Sequence, residues 1–422
     1  MEDNKQLSPD TEDEGEQASP QSLEFRNMWL ILGLGWISTN VGYSVMALPL
    51  KFMLKDGMHI SAAMMSQFMF IGHSTNYIKP VAGILIDYIP LFGYRRRSYL
   101  LLNLCLCAIG YLFFSFLPHK FYLLLATYTI MYMTVVFISA TLGGVMVETG
   151  AKFRTAGRLT AQRIGSFRVA AIVGELSGGF LVKFPLYFAT SITALCHIIL
   201  IPLYYKNLKE ERSAKINREG LRNVKQQFVA LFHNRSLMSA AVMIFLIAIA
   251  PGFGTPLFYY QTNTLHIPPT YLGVLGVIAG TAGVAGAWFY TRFCRRFSIR
   301  AILFWSIVQH SIGTLLYLFY HDKSSATWIT AIEGLTGILA TLPVYDLGAR
   351  ATPKGSEALG YSIMMSVWNL SSGLSDWIGS KLFDILHQSF TPLIYLNSAT
   401  TLLALIAIPL LPKALLIQKD AH

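Results

Sequence analysis

Apolar residues in this chain gather into runs of about 20 or more, the length a helix needs to cross hydrocarbon. They fall at 27–50, 61–88, 98–117, 120–147, 164–182 and 184–205, and again at 236–260, 270–291, 300–320, 326–347, 358–386 and 390–412. Backbone polar groups in lipid must bond within their own segment, so such runs read as helices. The pattern predicts an all-α membrane protein with twelve transmembrane helices. A polar stretch divides them six and six. The expected parts are an acidic tail at 1–26, a first bundle at 27–205, a central loop at 206–235, a second bundle at 236–412 and a short tail at 413–422.

An internal repeat supports two related bundles. Glu148-Thr149-Gly150-Ala151-Lys152, followed by Gly157, returns as Asp346-Leu347-Gly348-Ala349-Arg350, followed by Gly355, at an offset of 198 residues. Both copies sit where the fourth helix of a bundle ends. Two pseudo-symmetric six-helix bundles around a midplane site is the architecture of alternating-access carriers. Charge sets the orientation. With the N-terminus inside, 25 of the 33 lysines and arginines lie in cytoplasmic segments. Lys51, Lys55, Lys120, Lys183, Lys323 and Lys381 then lie outside. The positive-inside asymmetry places both termini in the cytoplasm.

Composition narrows the class further. The chain is 54% hydrophobic and only 13% charged, with a mean hydropathy of +0.49, where a soluble domain carries about a quarter charged residues. The net charge of +11 sits in short loops between apolar runs. It therefore reads as membrane orientation, and no nucleic-acid partner is expected. Residues 1–26 carry eight acids against Lys5 and Arg26, unlike a signal or transit peptide, and read as a disordered cytoplasmic tail. Cys105, Cys107, Cys196 and Cys294 have neither metal-ligand nor disulfide spacing. No metal and no cofactor are expected. No nucleophile–base pair or phosphate loop supports an enzyme, and no ATP-binding signature supports a pump.

One stretch carries a specific likeness. Gly83 and Asp87 share a helix face one turn apart, where a small residue would admit a neighbouring helix. A short loop follows, then Gly93-Tyr94-Arg95-Arg96-Arg97. This resembles the loop signature of the major facilitator superfamily. Ile78-Lys79-Pro80 and Pro90-Leu91-Phe92-Gly93-Tyr94-Arg95-Arg96-Arg97-Ser98-Tyr99 resemble the folate–biopterin transporter family within it. Leu54-Lys55-Asp56, the run from Thr255 to Asn263, and Pro343-Val344-Tyr345-Asp346-Leu347-Gly348-Ala349-Arg350 extend the likeness over both halves. The resemblance implies the major facilitator fold and import of pteridine-type substrates, folates and biopterin, by proton symport. Residues 163–181 depart from the family pattern and carry Arg168 and Glu175, which leaves the cargo open. A nucleoside-like metabolite such as S-adenosylmethionine, or another organic anion, is the alternative. A non-transporting receptor is the reading from another class.

Ionisable groups within spans are costly and tend to serve a pathway or pair with each other. Lys79, by its family position, is a candidate cation for a substrate carboxylate, against snorkelling to the interface. His73 and Asn76 share its face. Arg168, Tyr345 and Asn369 complete the candidate substrate contacts, with an aromatic ring such as Trp368 suited to stack a flat pterin. Glu175 and Asp376, at related places in the two halves, are candidates for proton exchange because burial disfavours a carboxylate's charged form. Glu333 is a third, as an outer-gate residue or a partner for Lys323. Asp87, Arg95, Arg96, Arg97, Glu148, Asp346 and Arg350 are expected at the inner membrane edge as a cytoplasmic gate that locks the halves in the outward-open state and parts when the carrier turns inward, against a bland role as topology-setting charges. The expected partners are a small-molecule substrate, protons and the lipid bilayer, with no obligatory protein partner. The expected location is a bacterial inner membrane or, alternatively, an organelle envelope.

Overall fold

The computed structural model describes residues 20–212, 216–293, 296–353, 356–412 and 415. Residues 1–19 of the expected 1–26 tail, most of the C-terminal tail, Cys294, Lys354 and Gly355 lie outside the described residues, and residues 20–26 are helical where a disordered tail was expected. The chain folds into helices α1 (Pro20–Phe52), α2 (Ala62–Gly72), α3 (Lys79–Tyr88), α4 (Arg96–Phe114), α5 (Phe121–Phe153), α6 (Ala156–Leu181), α7 (Leu186–Ile198) and α8 (Leu200–Asn207). There follow α9 (Arg218–His233), α10 (Arg235–Ala248), α11 (Gly254–Tyr259), α12 (Pro269–Phe293), α13 (Ile299–Leu315), α14 (Lys323–Ala351), α15 (Glu357–Ile385) and α16 (Thr391–Leu403). Among the described residues, nine helical segments are long and apolar enough to cross a bilayer, or ten if the bent pair α9–α10 counts as one span. The three remaining runs of the expected twelve differ for physical reasons. Run 61–88 is broken by a 3-10 turn at Ser74–Ile78 before Pro80. Run 236–260 is interrupted between Ala248 and Gly254, around Pro251 and Gly252. The third, α15, is continuous but carries Glu357, Asp376, Lys381 and Asp384.

Caps fix several helix starts. Ser61, Asn217, Asn234 and Ser298 each accept a backbone N–H of the first turn of α2, α9, α10 and α13. Asp322 and Ser325 form a reciprocal capping box at the start of α14. The backbone N–H and then the hydroxyl of Ser325 hold the Asp322 carboxyl below its ordinary range. A lowered acid stabilises the fold above its unfolded value of about 3.9, and that support is lost as pH falls through the folded value. Asp322→Ala is thus expected to melt slightly below wild type at pH 7. The gap should close in buffers below about pH 4, as read by thermal melts across pH.

The central loop is not merely polar. It holds α9, turned by 70° from α10 and packed on α3, where the Asn217 N–H donates to the Tyr88 carbonyl at 3.1 Å. Two apolar cores stabilise the bundles. One runs through α1, α2 and α4–α8 and on into Phe258, Tyr317, Phe383 and Phe390, and the other joins α10, α13 and α14.

The halves meet through α6 on α12 and α2 on α15. Gly179 and Gly273 allow the first contact: an added Cβ would lie 2.6 Å from the Pro269 carbonyl and 2.5 Å from the Glu175 carbonyl, respectively. Gly83, by contrast, faces open space, so the close approach expected there is not made. At the end away from the arginine loop, the Ala63 N–H donates to Asp384 Oδ2 at 3.0 Å and the Tyr259 hydroxyl to the Ile60 carbonyl at 2.6 Å. Phe52 packs edge-on against Phe258. At the arginine end, α5 and α14 pack on elements of their own halves. These contacts close the bundles on each other at the end away from the arginine loop.

Candidate substrate cavity

Between the halves lies a cavity of about 500 Å³, within the range of roughly 300–1,000 Å³ usual for small-molecule sites. Its lining includes Tyr43 and Lys51 of α1, Phe70, His73, Asn76 and Tyr77 near the break after α2, Tyr128 of α5 and Glu175 of α6. Thr255 of α11 and Asn369 and Asp376 of α15 close it from the other half.

Of the residues expected to contact substrate, His73, Asn76 and Asn369 line this cavity, and so do Glu175 and Asp376. The 3-10 turn explains part of this. Residues three apart eclipse in such a turn, so His73, Asn76 and Lys79 all address α5. His73 Nε2 lies 2.9 Å from the Tyr128 hydroxyl, Asn76 donates to the Tyr132 hydroxyl at 2.7 Å, and Lys79 donates to the Ser139 hydroxyl at 3.1 Å. Lys79, Arg168 and Tyr345 fall outside the cavity lining, toward the arginine end. Arg168 lies against α12, where a Cβ added at Gly283 would be 3.6 Å from Nη1. Tyr345 packs edge-on with Trp368, their rings 5.8 Å apart.

The carboxylates differ sharply in their surroundings. Asp376 accepts from the Thr255 N–H at 2.8 Å and the Thr255 hydroxyl at 2.6 Å, so it ties the broken helix α10–α11 to α15. Glu175 forms no hydrogen bond or ion pair with a described residue. Glu333 lies away from the cavity, with Oε1 3.7 Å from His310 Nδ1 across α13 and α14. Glu333 Oε2, His310 Nδ1 and Gln309 Nε2 are buried without hydrogen-bond partners. The expected pairing of Glu333 with Lys323 is not formed; His310 takes that place.

The expected gate residues fall into two groups. Arg96 bonds Asp87 at 3.2 Å and pairs closely with Glu148, all within the first half. The Arg95, Arg96 and Arg97 backbone N–H groups donate to the Glu210 carboxylate at 2.9 to 3.2 Å, so the central loop caps α4. The Arg97 side chain bonds the Tyr205 carbonyl. In the second half, Arg350 Nε and Nη2 pair with Asp346 at 2.8 and 2.9 Å. Among the described residues, these ion pairs each lie within one bundle.

Lys51, Tyr43, Tyr128 and Thr255 are cavity residues the sequence reading passed over. Lys51 is placed by the structure in α1 and in the cavity wall, not in an outer loop. Its signal was weak because it falls just past the end of run 27–50, where a lysine reads as an ordinary boundary residue. Tyr43 and Tyr128 are two of 21 tyrosines, with nothing local to set them apart.

The helical arrangement matches solved transporters across nearly the whole chain. A peptide transporter, POT in complex with sulfate, superposes with a TM-score of 0.72 at 11% identity, covering 93% of this chain and 96% of that one. The nucleoside transporter NupG gives 0.71 at 12% identity, covering 92% and 100%. Two bundles with a cavity between them define a membrane protein of the carrier fold. The BT1 family matches residues 41–421, and the chain belongs to that family. Among curated relatives, the Folate-biopterin transporter of Synechocystis sp. (strain ATCC 27184 / PCC 6803 / Kazusa) is 28% identical over 404 residues, 90% of this chain and 80% of its own. Folate transporter 1 of Plasmodium falciparum (isolate 3D7) is 25% identical over 376 residues, 83% and 72%. The family and these relatives are transporters, not enzymes.

Proposed function

We propose that the protein is a secondary active transporter importing a folate- or pteridine-like organic anion by proton symport through alternating access. It crosses the bilayer twelve times with both termini in the cytoplasm. The observation that carries the reading is the cavity at the junction of the halves, walled by aromatic rings and holding Lys51 and Glu175. Tyr43, Phe70, Tyr77 and Tyr128 offer faces on which a flat ring can stack. Lys79 and Arg168, on the cytoplasmic side of the cavity, suit the carboxylates of a folate tail.

The geometry favours dividing the roles of the buried acids. Asp376 is committed to Thr255, and Glu175 faces the substrate space. Glu333 and His310 lie outside it, 3.7 Å apart, too far for a hydrogen bond. A proton on either group supplies the bond this pair lacks, which makes it the proton-coupling site. The test is uptake of labelled folate and biopterin into proteoliposomes with and without an inward proton gradient. Wild type should accumulate cargo only with the gradient, and Glu333→Gln should equilibrate cargo without accumulating it. Gradient-driven accumulation by Glu333→Gln would remove the coupling assignment. The cavity's two carboxylates against one lysine also suit a cationic metabolite, so S-adenosylmethionine belongs in the same assay. Its uptake in place of folate and biopterin would replace the cargo.

A further inference from the structure

Glu175 is the cavity carboxylate without a partner among the described residues, whereas several polar groups around it are engaged. Asp376 is held by Thr255 and His73 by Tyr128, while Asn76 donates to Tyr132. Glu175 is bonded to no described residue. Its side chain lies over Gly276 of α12, where an added Cβ would fall 2.9 Å from Oε2. Lys51 and Tyr43 line the same cavity from α1. Lys51 pairs with neither carboxylate of the cavity and stands 5.5 Å from the Phe258 ring. A carboxylate that lines a cavity with no donor of its own has both oxygens free to accept, and a ligand bringing two donors side by side would satisfy it.

The edge of a pterin ring presents such a row: a 2-amino donor, an N3–H donor and a 4-oxo acceptor. We infer that Glu175 reads the 2-amino and N3–H groups through paired charge-assisted hydrogen bonds, while Lys51 donates to the 4-oxo group. This rests on the pteridine cargo proposed above and assigns the group that distinguishes its head. Both carboxylate oxygens are acceptors only, so they match two adjacent donors. A lumazine carries a carbonyl in place of the 2-amino group, and its acceptor would face an acceptor. A glutamine at 175 reverses the match: its amide NH₂ donates to the 2-oxo group and its carbonyl accepts from N3–H. Against a pterin, that same NH₂ meets the 2-amino donor.

The experiment is fluorescence titration of the full-length protein in detergent with biopterin and with the lumazine bearing the same side chain. Wild type should favour biopterin by about 100-fold, the loss that forfeiting one hydrogen bond to a charged group carries. Glu175→Gln should invert the preference, weakening biopterin and tightening the lumazine, and lumazine binding itself shows that the variant is folded. Gly276→Ala, which crowds the carboxylate, should weaken biopterin more than the lumazine. Lys51→Met should weaken both and leave their ratio unchanged, since both carry the 4-oxo group. Equal losses for the two ligands in Glu175→Gln, or no change, would overturn the assignment while leaving pteridine cargo standing. Failure of wild type to bind either ligand would instead overturn the pteridine reading and the assignment with it.

Discussion

Replacing Asp384 with alanine is expected to open the outer face and slow net uptake. Asp384 belongs to α15, yet its Oδ2 accepts the Ala63 N–H at the first turn of α2, 3.0 Å away. It therefore caps a helix of the opposite half, where the helix dipole favours a negative charge. A hydrogen bond to a charged group contributes about 1.5–3 kcal/mol. If that bond exists only while the outer side is closed, its loss moves the population toward the outward-open form by about tenfold or more, since each 1.4 kcal/mol is a factor of ten. Ser66 reports on this, because it lines the cavity and is 1% exposed. With the native cysteines replaced and Ser66→Cys introduced, an impermeant maleimide added outside should label the Asp384→Ala protein about tenfold faster than its parent. Tyr259→Phe, which removes the bond to the Ile60 carbonyl, should act in the same direction. Equal labelling rates in all three would show that these bonds do not hold the halves together.

This outer latch was not legible in the sequence, and the reason is physical. Asp384 lies near the end of an apolar run, where an acid reads as an ordinary boundary residue. Its partner is a backbone N–H 321 positions away, and backbone groups leave no trace in residue identity. The inner-edge charges were conspicuous because the repeat and the triple arginine mark them. What the sequence could not reveal was their pairing. Arg96 lies near both Asp87 and Glu148 because α3, α4 and α5 converge in one bundle, whereas Asp346 has Arg350 one turn along its own helix. The i, i+4 spacing accounts for the second pair, and only tertiary packing forms the first. The cavity was half legible for a similar reason. An acid inside an apolar run is costly wherever it points, so Glu175 and Asp376 announced themselves. Tyrosines and a lysine at the end of a run carry no such penalty and gave no signal.

Asp376 separates two roles that the sequence alone left joined, and the two substitutions at this position are expected to diverge. Its oxygens take the N–H and hydroxyl of Thr255 just after the break between α10 and α11. The same junction is held by the Ser375 hydroxyl on the Ala250 carbonyl, the Gly252 N–H on the Ser375 carbonyl and Asn397 on the Pro251 carbonyl. Five bonds thus fasten a broken helix to α15 and α16, satisfying backbone groups that lipid could not. Asp376→Ala removes two acceptors at once and leaves buried donors unpaired, at a cost of roughly 1–3 kcal/mol for each. It should lower the melting temperature in detergent and abolish transport. Asp376→Asn keeps one acceptor oxygen for Thr255 and cannot exchange a proton, so it should retain the fold and accumulate cargo under a proton gradient at reduced rate. Thermal melts and proteoliposome uptake of both variants decide the matter. A stable Asp376→Asn protein that equilibrates cargo without concentrating it would return the coupled proton to this carboxylate and take it from the Glu333–His310 pair.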